Sequence, residues 1–259
     1  MSFDKSLKDK MKVARDSAAI ILAAGRGMRL KPLSDVSPKC LIPVGESPIL
    51  YHQIKSLRMH GIEKIILVVG FMAEEIERYA RGAFPDLKIQ FVYNRQFEVT
   101  NTLYSLALVA KTIAPGIEVF QLNGDVVFDP RIIGLLLNAE RGESYVVAQI
   151  GRCAEEEIKI ELAGDGSVAR LNKKIPPALA IGEAIGINKF SPQFFMELKK
   201  SLYALKEDHS MEYFEYAIEH VIKNGAKIYP LDIKELKAVE VDFLDDLKRA
   251  RSEVLPFLS

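Results

Sequence analysis

Apolar runs of strand length alternate with helix-period segments through the first half of the chain. Ala18–Leu22, Lys64–Val69, Lys88–Tyr93 and Glu118–Leu122 read as strands, each a short apolar run bounded by polar or turn-forming residues. Between them, apolar residues recur at helical spacing over Ile49–His60, Met72–Arg81, Thr102–Ala110 and Pro130–Asn138. Strands joined through helices predict an α/β fold with a largely parallel sheet, because parallel neighbours need a crossover between them.

The pattern then changes. Tyr145–Ile150, Ile158–Leu162 and Val168–Leu171 read as strands, the last two joined by "AGDGS", whose Asp165-Gly166 step is a hairpin signal. A strand over Ile181–Ile187 leads to helices at Pro192–Leu205 and Glu212–Asn224, the second stopped by Gly225. A strand near Lys227–Leu231, an apolar step at Ala238–Val241 and a helix from about Asp242 complete the chain. No repeat, low-complexity tract or Pro/Gly-rich linker interrupts it. One domain over 18–259 is expected, after a polar extension at 1–17.

Composition narrows the partners. With 259 residues and 49% hydrophobic content the chain can bury a full core without a disulfide or structural metal. Lys+Arg and Asp+Glu balance at 35 each, so no global basic field favours nucleic acid or an anionic membrane surface. Any bound anion must be met by local charge. Cys40 and Cys153 lie far apart and read as free thiols, and the four histidines show no paired ligand spacing. The charged start lacks the roughly 7–15-residue apolar stretch of a signal peptide, and no run approaches the ~20 apolar residues of a membrane span. A cytoplasmic protein is expected, with its oligomeric state open.

"IILAAGRGMRLKPLSDVSPKCLIPV", from Ile20 to Val44, carries the first candidate chemistry. A dinucleotide fingerprint needs a third glycine and a helix running straight from the loop. Here Leu30 takes that position and Pro32 falls in the first turns, which argues against a dehydrogenase. The P-loop pattern is absent as well. What remains is backbone freed by Gly25 and Gly27, a guanidinium at Arg29 and an ammonium at Lys39. Such a set can hold phosphates, or it is a glycine turn with basic residues on the surface.

In open α/β sheets ligands bind outside the carboxyl ends of the strands. Gly25, Gly70-Phe71, Asn94 and Gly124-Asp125 follow the four predicted parallel strands in turn and fall on one sheet edge. Asp125 is either a turn aspartate or a Mg²⁺ ligand, since that ion takes one or two carboxylates and keeps waters and phosphate oxygens. Asn101 is either a helix N-cap or, with Asn94, Thr100 and Tyr104, part of a nucleobase or acceptor pocket. In "HSMEYFEYAIEHVIKNG", Phe214, Ile218, Val221 and Ile222 form one helix face, and Tyr213, Tyr216 and His220 another. The tyrosines either cage a quaternary ammonium or pack against a neighbouring helix or subunit.

The run L-A-A-G-x-G-x-R-L at Leu22 to Leu30, followed by Pro38-Lys39 and Gly124-Asp125, resembles the sugar-phosphate nucleotidylyltransferase family, also called pyrophosphorylases. Three separated elements in order carry the likeness, which covers the chain after residue 17. The stretch Asn94 to Leu106, with "TNTLYSL", looks like the cytidylyltransferases that use phosphocholine, inositol 1-phosphate or 2-aminoethylphosphonate. Many sugar-1-phosphate enzymes have a Gly-Thr-Ala type sequence there. "GEAIGINKFS" at 182–191 and "AVEVDFLDDLKRA" near the C-terminus are further similarities.

The resemblance implies a single Rossmann-like α/β/α domain with a mixed, mostly parallel sheet, and Mg²⁺-dependent transfer of a nucleotidyl group to a small phosphorylated acceptor with release of pyrophosphate. It implies that Leu22, Ala23, Ala24, Gly25 and Gly27, with Gly70, Asn94 and Asn101, hold the nucleoside triphosphate. Arg29 would grip the departing phosphates, Lys39 those near the reacting centre, and Asp125 and Asp242 the metal. Tyr104, Glu183, Tyr213 and Tyr216 would meet the acceptor, and Lys159 or Lys173 its phosphate. Met28 stands where many relatives have serine or threonine. CTP with a small acceptor is the leading expectation. The rivals are a sugar-1-phosphate enzyme using UTP, dTTP or GTP, and a catalytically silent nucleotide-binding subunit.

Overall fold

The computed structural model describes residues 17–258, Arg141 excepted, so the expected polar extension lies outside the described residues except for Ser17. That residue opens β1 (Ser17–Ala23), a strand buried along its whole length. Successive side chains of a strand point to opposite faces. Accordingly Ala19, Ile21 and Ala23 enter one core, whereas Ala18, Ile20 and Leu22 enter a second on the other side of the sheet.

Then follow α1 (Ile49–Met59), β2 (Ile65–Val69), α2 (Ala73–Ala83), β3 (Gln90–Tyr93), α3 (Thr102–Ala110), β4 (Glu118–Asn123), β5 (Val126–Phe128) and α4 (Arg131–Asn138). β4, β1, β2 and β3 lie side by side in that order, all parallel. The remaining elements are β6 (Tyr145–Ile150), β7 (Lys159–Leu162), β8 (Val168–Asn172), β9 (Gly182–Phe190), α5 (Pro192–Leu205), α6 (Phe214–Lys223), β10 (Tyr229–Asp232), β11 (Ala238–Glu240) and α7 (Leu244–Arg249). β9 is antiparallel to β4, which makes the sheet mixed. β7 and β8 form the antiparallel hairpin that Asp165-Gly166 predicted.

Helices cover both faces. α1, α2 and α4 complete the first core, and α3, α5 and α6 the second, giving three layers. A third, smaller core gathers Leu30, Ile42, Val44, Val127, Val239, Val241 and Leu247 below the glycine loop. No helix among the described residues is long and apolar enough to cross a membrane.

Several boundaries move. The third strand starts at Gln90 rather than Lys88, because Phe84–Ile89 is occupied by backbone turns. β5, which the sequence reading passed over, pairs antiparallel with β11. β9 extends to Phe190 and shifts register against β6 between Ala184 and Asn188. Gly186 lies in that shift with φ 65°, where a Cβ would also overlap Glu240 Oε1 and Asn123 Nδ2. Only glycine suits both conditions.

Candidate active site

The loop after β1 does not lead into a long helix. Gly27, at φ 67°, caps a single 3-10 turn at Met28–Leu30, and after Pro32 a four-residue helical turn spans Leu33–Val36. Leu30 is fully buried in the third core and anchors the turn. Its neighbour Arg29 remains half-exposed, 3.3 Å from Asp242 through Nη1, with its guanidinium over the Phe243 ring. Lys39 enters from a second 3-10 turn, Lys39–Leu41, and its stem lies against Gly27.

Two carboxylates meet that lysine. Asp125 sits in the turn between β4 and β5, and Asp242 follows β11. Pairing of β5 with β11, extended by the Val241 N–H donating to Asp125 O at 3.0 Å, brings these distant positions together. Lys39 Nζ donates to Asp125 Oδ2 at 2.6 Å and to Asp242 Oδ1 at 2.5 Å, with only 11% of its side chain exposed. Burial alone would lower the lysine's pKa, but Asp125 and Asp242 override it and hold the group above the ordinary lysine value. Asp242 is likewise pushed up by burial and, more strongly, drawn below the usual carboxylate range by Lys39 and Arg29.

The same geometry suits a hard divalent cation. The bridging ammonium marks where positive charge is favoured, and the buried Asp125 Oδ1 has no hydrogen-bond partner among the described residues. Glu240 stands behind, held by Asn123 Nδ2 at 3.1 Å and pushed up to about 8 by burial and the nearby Asp125. No cage of three or more His, Cys, Asp or Glu ligands occurs among the described residues. An ion held by Asp125 and Asp242 would therefore complete its shell with waters and phosphate oxygens, the habit of Mg²⁺.

Gln53 fixes the Asp125 turn from beneath. Its side-chain amide donates to Asn123 O at 2.7 Å and to Val126 O at 2.8 Å, spanning the two residues between them. Gln53 interrupts an apolar face made by Ile49, Leu50, Ile54 and Leu57, a sequence signal that could have found it. Glu240 carried a signal too, since it shares a strand face with Asp242 two residues on. Glu215 carried none that separates it from an exposed helix glutamate.

Arg29, Lys39, Asp125, Glu240 and Asp242 line a cleft of about 450 Å³. Leu22, Ala23, Gly25 and Gly27 lie there as well. The same cleft is lined by Glu156 and Glu157 from the loop after β6, Lys173 after β8, Glu183 of β9, and Tyr213 and Glu215 at the start of α6. Asn101 also lines the cleft and is the N-cap of α3, its Oδ1 accepting from Thr102 N at 2.8 Å. The α6 start is tied to that cap. The Phe214 N–H donates to Thr102 Oγ1 at 3.0 Å, Asn101 N–H to Ser210 O at 2.7 Å and Leu103 N–H to Glu212 O at 3.2 Å.

Seven expected residues do not line it, Thr100 among them. Ala24 is buried, its carbonyl accepting from Phe71 N–H at 3.0 Å. Gly70 packs against that carbonyl and Phe97 so closely that a Cβ would clash, so its role is close packing. Asn94 is buried behind the loop, donating to Thr100 Oγ1 and Ser105 Oγ and accepting from Gln96 N–H. Tyr104 lies beneath Lys206, and Tyr216 packs on His209 with ring centroids 4.7 Å apart. The two-tyrosine cage is therefore not assembled. Lys159 is fully buried, and its ammonium donates to the carbonyls of Ala154, Glu155 and Glu157. It anchors the Glu156–Glu157 loop, while Lys173 is the member of that pair that reaches the cleft.

The nucleotidyl transferase family model matches residues 18–226. Among curated proteins, CMP-5'-(3-aminopropyl)phosphonate synthase of Streptomyces rubellomurinus is 36% identical over 131 residues, which is 51% of this chain and 20% of that protein. Choline-phosphate cytidylyltransferase of Streptococcus pneumoniae is 38% identical over 96 residues, 37% of this chain and 40% of that protein. The matches thus span two fifths or less of these relatives' lengths. In fold, the chain is similar to the solved CTP:phosphocholine cytidylyltransferase of Streptococcus pneumoniae, with a TM-score of 0.75 at 22% identity, covering 91% of this chain and 97% of that one.

Proposed function

The chain belongs to the nucleotidyl transferase family, and from that premise we propose that it is a Mg²⁺-dependent cytidylyltransferase joining CTP to a small phosphorylated acceptor. The observation that carries the reading is the meeting of Arg29, Lys39, Asp125 and Asp242 beside the glycine loop, at the carboxyl ends of the parallel strands. CTP and a non-sugar acceptor are favoured by the "TNTLYSL" segment and by the names of the two curated relatives. A cytoplasmic setting, where the triphosphate is made, belongs to the same proposal.

The reaction joins two anions. An acceptor phosphate or phosphonate oxygen attacks the α-phosphorus of CTP, the bond from that phosphorus to the bridging oxygen breaks, and pyrophosphate leaves with the electron pair. A phosphate monoester has its second pKa near about 6 and is largely ionised at neutral pH, so no general base is needed. Lys39 and Arg29 would compensate charge on the reacting and departing phosphates, and the loop at Gly25 and Gly27 would admit the triphosphate backbone closely. Asp125 and Asp242 would hold Mg²⁺, which supplies Lewis-acid charge compensation when bound. Alignment and electrostatics, rather than proton transfer, set the barrier.

The test is pyrophosphate release by the purified protein with Mg²⁺, crossing CTP, UTP, GTP, ATP and dTTP against phosphocholine, inositol 1-phosphate, 2-aminoethylphosphonate and common sugar 1-phosphates. Turnover with CTP and a non-sugar acceptor is expected. Turnover only with a sugar 1-phosphate and another triphosphate would replace this reading with the sugar-nucleotide one. Nucleotide binding without turnover anywhere in the grid would point to a regulatory subunit.

A further inference from the structure

Two amide side chains lie inside the sheet where the pattern calls for apolar residues. Gln121 of β4 and its register partner Asn188 of β9 are both buried, among the core residues Phe120, Leu122, Ile187 and Phe190. Asn188 Nδ2 donates to Gln121 Oε1 at 2.6 Å, but Asn188 Oδ1 has no hydrogen-bond partner among the described residues. An apolar pair of similar volume would fill the space without that orphaned oxygen, and replacing both partners of a buried hydrogen bond is often neutral or stabilising. Stability therefore does not account for the pair.

The pair is the far end of a longer chain. Gln121 Nε2 donates to Asn123 Oδ1 at 3.0 Å, and Asn123 Nδ2 donates to Glu240 Oε1 at 3.1 Å. Because Glu240 accepts at the last link, Asn123 turns its NH2 there, its carbonyl faces Gln121, and the carbonyl of Gln121 faces Asn188. All the amide dipoles of the chain point their positive ends toward one carboxyl group, and the orphaned oxygen falls at the opposite end. That carboxyl group stands against Asp125 and Glu215, with Lys39 as the nearby cation. Gly186 leaves the space for the contact, since a Cβ there would overlap both Glu240 Oε1 and Asn123 Nδ2.

Asn123 stands two residues before Asp125, and Glu240 two residues before Asp242. Their side-chain bond therefore joins the ends of β4 and β11 at the same offset from the two carboxylates that meet Lys39, beside the backbone bond from Val241 N–H to Asp125 O. We propose that Asn188, Gln121 and Asn123 are positioning residues for the divalent-cation site, a buried amide chain that fixes Glu240 and, through it, the separation of Asp125 and Asp242. This deepens the nucleotidyl-transfer reading and rests on it. Asn188 and Gln121 do not line the cleft, so they act through Asn123 and Glu240. Gln53 holds the backbone of Asn123, and the chain holds its side chain. Without the far pair, the Asn123 amide is free to turn over and present its oxygen to Glu240. Two acceptors then face each other, and the strand ends that carry the cation's carboxylates lose their tie.

The experiment measures Mn²⁺ binding from the paramagnetic resonance of the free ion, with and without CTP, in the wild-type protein, in the double variant Gln121→Met with Asn188→Leu, and in Asn123→Ala. The double variant removes both partners of the buried bond, so its melting temperature is expected to match or exceed that of the wild type while Mn²⁺ affinity falls about 10-fold or more, the scale of a lost outer partner of a metal site. The Mg²⁺ concentration for half-maximal pyrophosphate release should rise by a similar factor, with the acceptor KM unmoved. Asn123→Ala, at a half-buried position that cleft water can reach, is expected to weaken Mn²⁺ binding at least as much. Unchanged Mn²⁺ affinity in the double variant would overturn the proposal, and so would a loss of affinity that comes only with a lowered melting temperature, which makes the pair a structural one. Should the double variant not fold, Asn123→Ala decides by the same two criteria. The transfer reading fails separately: if the wild type binds Mn²⁺ but no acceptor releases pyrophosphate, that reading falls and the binding comparison still decides this one. A wild-type protein that binds no Mn²⁺, with or without CTP, would sink both.

Discussion

Lys39 keeps Asp125 and Asp242 close together without a metal, and its charge would face the phosphates of a bound nucleotide. Lys39→Ala and Asp125→Ala are each expected to lower turnover roughly 100-fold or more, the scale of losing one preorganised electrostatic group. Steady-state pyrophosphate release by variants with wild-type melting behaviour checks this; near-normal rates would take the residue out of the reaction. Glu215 gives a second test at this scale. Its pKa in the folded protein, about 7, lies above the ordinary 4.5, so the folded state holds that proton more tightly than the unfolded chain. The resulting stability is present below about pH 4.5 and is lost as pH rises through 7, at about 1.4 kcal/mol per pKa unit. The melting temperature is therefore expected to fall between pH 5 and 8, and Glu215→Gln should flatten the fall. An unchanged slope in the variant would contradict this. Arg29 and Lys39 were legible as basic residues beside a glycine loop that breaks an apolar strand, and Asp125 as the carboxylate just after another such strand, whereas Asp242 was reached only through the family likeness. Lys159 was not, since the three carbonyls that draw its ammonium inward come from a loop whose path only the folded chain reveals.

At the scale of elements, α1 supports the candidate metal site without touching its ligands. Replacing Gln53 with Leu would leave Asn123 O and Val126 O without their donor, each buried carbonyl costing about 1–3 kcal/mol. About 10-fold lower kcat is expected, with a higher Mg²⁺ concentration for half-maximal rate and little change in acceptor KM. A Mg²⁺ titration of the rate distinguishes this from a purely structural role, which would lower the melting temperature and leave the Mg²⁺ requirement unmoved. The central parallel strands were readable because strands buried on both faces are continuous apolar runs, and the helices because one apolar face recurs at period 3.6. β5 escaped because three apolar residues after a Gly-Asp turn read as the tail of the turn. Their strand character comes from pairing with β11, more than a hundred residues away.

Across the whole molecule the formal charge is zero, but the cleft concentrates carboxylates, so its ligands should govern stability more than bulk salt does. Mg²⁺ with CTP is expected to raise the melting temperature by several degrees relative to the protein in EDTA. Binding at 100-fold above Kd adds about 2.7 kcal/mol, and a chain of this length shifts by roughly 2–4 °C per kcal/mol. Asp125→Asn should remove most of the Mg²⁺-dependent part, and an equal shift in that variant would place the cation elsewhere. The hydrogen bonds from Phe214 to Thr102, Asn101 to Ser210 and Leu103 to Glu212 reach further still. They make two distant stretches of chain a single transplantable unit. Any graft of this corner of the cleft from a relative would have to carry 101–103 and 210–215 together, because either stretch moved alone arrives without the partner that sets its shape.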